Sequence, residues 1–232
     1  MIISLNKLRQ IKYKDAGDLY TLCYRHEYDM SAMLQDTTDD RIRFTLLQRR
    51  KILRPMFIER FNKKDYYGTM SLFSNCNSLA REYFCCFTLD KIAKKDWSEL
   101  FREVYISENY GSSFRILLSD EDIVVLFTIA DRNSLMNKVE LMRFNSLADT
   151  FNIYRGFHNE NNKIGFSWSL SKDVAEMFAH RYNKSSIIVC TAKREDVLAY
   201  FNDRQEEEII VNPANILGEV VEKQLRKVKK NM

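Results

Sequence analysis

The hydrophobic periodicity of the chain changes partway along, and that change limits the fold more than any other feature. Through the first hundred residues apolar side chains recur at three and four spacing, as in SLAREYFCCFTLDKIAKK (78–95) and DWSELFREVY (96–105), the period of helices buried on one side. After about residue 120 they come instead in short β-branched and aromatic runs, IVVLFTI, FNIYRGF, KIGFSWSL, SSIIVCTA and EEIIVNP, the texture of strands. One clear helix interrupts these runs, SKDVAEMFAHRY. Ser171 is its expected N-cap, Asp173 suits the positive end of the helix dipole, and Val174, Met177 and Phe178 form its expected apolar side. Lying between two strand runs, this helix is expected to pack across their sheet. Helices first and strands later predict an α+β fold, with a mainly helical region over residues 1–110 and a sheet-bearing core over 111–232. No internal repeat is visible.

The remaining bulk properties narrow the class. A chain of 232 residues that is 45% hydrophobic can bury a real core, and six glycines and two prolines exclude a low-complexity protein. The five cysteines, Cys23, Cys76, Cys85, Cys86 and Cys190, form no CxxC pair, and the three histidines are scattered. That pattern fits a reducing compartment, and no metal site is expected. The opening MIISLNKLRQ lacks the order of a secretory signal, and the longest apolar run, IVVLFTIA at 123–130, is too short for the roughly 20 residues a bilayer requires. A soluble cytoplasmic protein with no membrane partner is the expectation.

Charge is uneven. RIRFTLLQRRKILRPMFIERFNKK (41–64) carries nine basic residues against a single acid, Glu59. Leu46, Leu47, Ile52 and Leu53 predict an amphipathic helix, broken or restarted at Pro55, with its basic side in solvent. Phe57, Phe61, Tyr66 and Tyr67 follow closely. Basic and aromatic groups together suit a single-stranded nucleic acid or an acidic protein, with Arg41, Arg43, Arg49, Arg50, Lys51 and Arg54 as the contacts. A solvated helix face whose acids lie elsewhere in the fold reads equally well. The closing KQLRKVKK (223–230) reads as a frayed tail.

Three short features in the last eighty residues carry chemistry. Tyr154-Arg155-Gly156 puts an arginine in an apolar strand, where its planar fork needs phosphate oxygens, or the carboxylate of a structural ion pair. In Gly165-Phe166-Ser167-Trp168-Ser169, strand alternation turns the two serines to one face and the two aromatics to the other. DRQEEEIIVNP (203–213) runs three glutamates into an apolar strand. If the strand includes them, Glu206 and Glu208 point one way, roughly 6 to 7 Å apart, and Glu207 points the other. Glu208, next to the apolar run, bears the larger desolvation cost.

In this order and spacing the phrases YRG, GFSWSLSKDVAEMFA and DRQEEEII resemble the arginine–serine–glutamate class of mono-ADP-ribosyltransferases, in particular toxin-type bacterial and phage members, over Phe151 to Pro213. The resemblance implies a split β-sheet catalytic core and NAD as cosubstrate, cleaved between nicotinamide and ribose. It implies that Glu208 stabilises the developing oxocarbenium charge through the ribose 2-hydroxyl, and that Arg155 holds the phosphates. The Gly156 backbone would orient the nicotinamide amide, Ser167 would brace Glu208 and the nicotinamide ribose, and Ser169 would lie in the same site. Glu206 would steer the acceptor, and Phe178 would either flank the nicotinamide ring or belong to the core. Trp168 stands where the family has threonine, on the face away from the cleft. A slip of one residue would make Gln205 and Glu207 the active pair instead.

The expected function is therefore a toxin-like or defence-related transfer of ADP-ribose to a macromolecular acceptor. The basic stretch favours RNA or DNA, while Glu-x-Glu in this family accompanies transfer to protein arginine. Hydrolysis of NAD by water, and an inert binding module of the same fold, remain open alternatives. The helical N-terminal region would bind acceptor or partner, and a neutralising antitoxin-like protein is an expected partner.

Overall fold

The computed structural model describes residues 3–23, 40–73, 78–107, 113–157, 163–180 and 186–224, the side chains of 40–50, 78, 113 and 218–224 excepted. The chain divides into two compact units, Met1–Ile123 and Val124–Met232. No helix among the described residues is long and apolar enough to cross a membrane.

The first unit is helical. It contains α1 (Leu5–Gln10), α2 (which includes residues 16–23), α3 (Asp40–Asn62), α4 (Tyr66–Met70), α5 (Ser78–Thr88), α6 (Lys94–Ser107) and α7 (Ser113–Leu117). Aromatic rings from four segments make its centre. Phe57 packs edge-on against Tyr20, Phe73 and Phe84, at centroid separations of 5.3 to 5.8 Å, and Phe61 continues the cluster to Tyr66. A second row stacks Trp97 on Phe101, while the Trp97 indole N–H donates to the Cys85 carbonyl across 2.9 Å. Such pairs contribute about 0.5–1.5 kcal/mol each beyond their buried area.

Three expectations for this unit change. Helix α3 runs through Pro55 without a break, so the proline marks no boundary. Phe57 is fully buried and Phe61 packs beside it, so these rings serve the core and not the basic surface. Ile52, expected on the apolar side, is 62% exposed.

The division between units falls within α8 (Asp120–Ile129), which the β-branched run IVVLFTI had suggested as a strand. Its start explains the difference. Asp120, Glu121 and Asp122 occupy the first turn, and the Asp122 N–H bonds the Ser119 hydroxyl at 3.2 Å. Capping and three negative charges at the positive end of the helix dipole outweigh a β propensity that depends on context.

The second unit continues with α9 (Arg132–Leu135) and α10 (Lys138–Asn145), neither anticipated, then β1 (Thr150–Phe157), β2 (Ser167–Ser169), α11 (Lys172–His180), β3 (Ser186–Lys193), β4 (Val197–Phe201), β5 (Glu208–Val211) and β6 (Leu217–Gln224). The strands form one antiparallel sheet in the order β4-β5-β2-β1-β3-β6. This is a mixed helical and antiparallel-sheet architecture, compatible with α+β. Strand β4 was not foreseen, and β6 carries the chain in order through Lys223 and Gln224, which had been read as the start of a tail. The rest of KQLRKVKK lies outside the described residues.

The middle of this sheet is its narrowest point. β1 pairs with β3 over its full eight residues, yet meets β2 at one registered pair, Tyr154 with Ser169. Helix α11 lies on β1 as expected, but through a different stripe. Ala175 and Ala179 are the buried positions, packed with Ile187, Tyr154 and Val189, whereas Met177 is 47% exposed. The small stripe exists because the backbones touch. A Cβ at Gly156 would lie 2.3 Å from the Ala175 carbonyl oxygen and 2.5 Å from the Ala179 nitrogen.

Gly156→Ala is therefore expected to force α11 off the sheet and to destabilise the unit by about 1–3 kcal/mol, the usual cost of overpacking. Urea denaturation of the two proteins measures it. The neighbouring exchange Thr150→Ala, at an exposed position, should be close to neutral.

Candidate functional site

The sheet order brings together three segments far apart in sequence. β1, β2 and β5 are consecutive in space, so Arg155, Ser167 and Glu208 stand on adjacent strands. Each is set by its own local geometry.

Strand β2 is held by its aromatics. Phe166 and Trp168 are buried, and the Trp168 indole N–H donates to the Gly165 carbonyl at 2.7 Å. The serines consequently face the other way. Opposite them on β5, Ser169 pairs with Glu208, Trp168 with Ile209 and Ser167 with Ile210. Directly opposed residues share a face of the sheet, so Ser167, Ser169 and Glu208 lie together. The Ser167 hydroxyl hydrogen-bonds the Glu208 carboxylate.

Arg155 belongs to the opposite face of β1 from Tyr154 and Gly156, but its side chain crosses the gap where the β1–β2 ladder stops. The guanidinium donates from Nη1 to the Ser167 carbonyl and lies over Gly165, where an added Cβ would come within 3.1 Å of Nη2. Glycine at 165 leaves room for that arginine.

The glutamates separate. Glu208 opens β5, whereas Glu206 and Glu207 precede it in a turn in which Gln205 and Glu207 have φ of 58° and 44°. Non-glycine residues in the left-handed region are uncommon and strained. Glu207 turns away to Arg143 of α10, at 3.6 Å, and Arg143 also hydrogen-bonds the Tyr200 hydroxyl. The Ser169 hydroxyl donates to the Glu206 carbonyl at 2.7 Å and accepts the Ser171 N–H at 2.9 Å. Leu170 N–H bonds the Glu207 carbonyl at 3.0 Å. The register thus places Glu208, and not Glu207, beside Ser167.

Glu208 has a raised pKa. Burial is the main cause, opposed by the hydrogen bond from Ser167, reinforced by the negative charge of Glu206, and opposed again by Arg204 and Arg155. A carboxylate held partly out of water between a second carboxylate and two arginines is costly to ionise and responsive to a cationic ligand.

The other expected residues are dispersed in role. Gly156 is the contact point for α11, and Ser169 is engaged in joining β2 to the turn before β5. Phe178 is half-buried on α11, off the Ala175–Ala179 stripe. In the first unit Lys51 and Arg54 are exposed, with the Arg54 guanidinium beside Gly17. Arg41, Arg43, Arg49 and Arg50 lie on α3, their side chains outside the described residues. Further along the basic stretch, acids do answer the charge. Lys63 pairs with Glu59 at 2.6 Å, Arg60 bonds the Gly68 carbonyl, and Lys64 borders a depression of about 410 Å³ with Asp65, Asp96, Glu99 and Glu103. Cys23, Cys85, Cys86 and Cys190 are free and buried, Cys76 lies outside the described residues, and among the described residues no group of His, Cys, Asp or Glu is arranged to hold a metal.

Sequence reasoning missed Arg204, Arg143, Asn202 and Glu140. The last was legible as a capping box, Asn137 with Glu140; an Asn-Asp step at 202 signals a turn. Nothing local marked either arginine.

No protein-family model, curated protein sequence or solved structure matches this chain.

The folded Glu208 pKa lies above its ordinary value, so the native state binds more protons than the unfolded chain between the two. Stability is then fullest below the unfolded pKa and falls as pH rises through the folded one. Glu208→Gln should flatten this dependence and be at least as stable as the parent at neutral pH, read from thermal midpoints across pH 4 to 8, a range set by the roughly 4.3 of a free glutamate.

Proposed function

We propose that this protein is a mono-ADP-ribosyltransferase that cleaves NAD at the nicotinamide–ribose bond and transfers ADP-ribose to a macromolecular acceptor. One observation carries the reading: three motifs with the arginine, serine, glutamate order of that class converge on adjacent strands, with the serine bonded to the glutamate and the arginine one strand away.

The residues fit the dinucleotide by charge and by shape. Arg155 is a planar cation at the break in the sheet, suited to phosphate oxygens once its hold on the Ser167 carbonyl is shared. Glu208 supplies a negative charge whose ionised form a cationic group would favour. NAD supplies a glycosidic bond to a positively charged ring, so that the bonding electron pair can leave with nicotinamide. Glu208 stabilises the positive charge left on the sugar, most strongly where that charge is greatest. Ser167 holds the carboxylate in one orientation, which removes a rearrangement from the barrier. Glu206, beside Glu208 and outside the strand, would meet an incoming acceptor and take its proton. The single β1–β2 pair supports the reading of a split sheet.

For the acceptor we take nucleic acid, on the exposed cations of α3. Because Phe57 and Phe61 are core residues, contact there would be by charge, and would weaken with salt. An antitoxin-like partner for an NAD-consuming enzyme belongs to the same proposal, as does its action in the cytoplasm.

The purified protein is expected to release nicotinamide from NAD, and Glu208→Gln to lose this by on the order of a hundredfold or more while keeping its circular dichroism spectrum. Equal release from both proteins would rule the assignment out. With labelled NAD and separate RNA, DNA and protein pools, label should appear in nucleic acid; label in protein alone selects the arginine-acceptor reading, and free ADP-ribose alone selects hydrolysis.

A further inference from the structure

The turn between β4 and β5 contains two strained residues, Gln205 and Glu207, and neither is a glycine. Such conformations persist only where the surroundings over-determine them. Here the over-determination converges on Asn202. Its side-chain oxygen accepts the Glu207 N–H at 3.0 Å, and its carbonyl accepts the Gln205 N–H at 3.1 Å, so both left-handed residues are tied to it. The Asn202 N–H in turn donates to Glu140 Oε1 at 2.9 Å. Glu140 is 1% exposed, and its second oxygen takes the Asn137 N–H at 2.8 Å, which closes the capping box at the start of α10. Both carboxylate oxygens are thus satisfied by backbone amides from two different segments. One turn further along α10, Arg143 draws the Glu207 side chain outward.

We propose that Asn202, fixed by Glu140, is a positioning residue: it holds Glu207 in the left-handed conformation that turns this glutamate out and delivers Glu206 and Glu208 to the Ser167 face. Its effect on turnover rests on the reading of Glu208 as the reacting carboxylate, whereas its effect on the Glu208 environment rests on the hydrogen bonds alone. Without the Asn202 side chain, the Glu207 N–H loses its acceptor and φ at 207 relaxes toward the ordinary region. A change of φ at 207 turns the backbone on both sides of it, and so displaces Glu206 in the turn and Glu208 at the start of β5. Asn202 borders a depression of about 440 Å³ with Asn137, Lys138, Val139, Glu140 and Asp203 and is exposed, so its exchange removes no core volume.

The test compares the parent with Asn202→Ala and with Asn202→Ser, whose hydroxyl can accept the same amide. Nicotinamide release is measured over a range of NAD concentrations, and the Glu208 carboxyl is followed by NMR during a pH titration of protein labelled at glutamate. We expect kcat for Asn202→Ala to fall on the order of tenfold to a hundredfold with a much smaller change in KM, as for a misplaced reacting group. The Glu208 titration should move away from that of the parent, and Asn202→Ser should lie closer to the parent in both readouts. An Asn202→Ala protein with the parent's kcat and the parent's Glu208 titration overturns the inference. So does loss of folding in Asn202→Ala, or an equal loss in both variants that tracks thermal stability, since either makes Asn202 a fold residue. If the parent releases no nicotinamide, the proposed function fails, and the Glu208 titration in the two variants still decides the positioning role.

Discussion

Much of the second unit depends on the register between β2 and β5. β2 is three residues long, and a strand that short is held by what surrounds it more than by its own ladder. The Trp168 ring on one face and the Ser169 hydroxyl on the other do this. A slip of one residue would expose the indole and place two hydroxyls in the core, an exchange that costs several kcal/mol through lost burial and unsatisfied polar groups. With the register set, the Ser167 hydroxyl meets the Glu208 carboxylate, and the Glu207 carboxylate meets Arg143 of α10.

The same register explains why an expensive carboxylate persists there. A half-buried glutamate beside another glutamate is a poor choice for stability alone, and burial is the largest cause of its raised pKa. The surrounding fold compensates with order. The serine bond, two arginines at longer range and a turn strained at two positions all reduce the freedom of one side chain. Natural chains break local rules of this kind chiefly at functional sites, with the surroundings supplying the stability that the site lacks. The first unit breaks local rules at other places, with Pro55 inside α3 and Lys64 at a φ of 60°, while aromatic rings cluster in its centre.

How far the chain could be read in advance follows from which interactions are local. Ser171 at the start of α11, the alternation of Phe166, Ser167, Trp168 and Ser169, and the strand after Glu208 are all encoded within a few residues, and each stands where the local pattern put it. Helix α8 was misread because a β-branched run looks alike in either structure, and three acids upstream decide it. The stripe on α11 was misread for a different reason. Val174, Met177 and Phe178 are the larger apolar residues, but Gly156 on a distant strand selects Ala175 and Ala179. Arg143 and Arg204 were invisible because their significance exists only once β4, β5 and α10 have been brought together. The order of the sheet, with β5 beside β2, likewise cannot be read from spacing.

The solitary pair between Tyr154 and Ser169 has a mechanical consequence. On one side of it lie β1, β3 and β6, on the other β2, β5 and β4, each a complete three-stranded leaf with its own ladder. Backbone bonds resist bending least where they are fewest, and within this sheet that place is the seam between β1 and β2. Arg155 is rooted in one leaf and Glu208 in the other. The arginine's bond to the Ser167 carbonyl therefore joins the two leaves by a side chain where the backbone ladder between them is shortest.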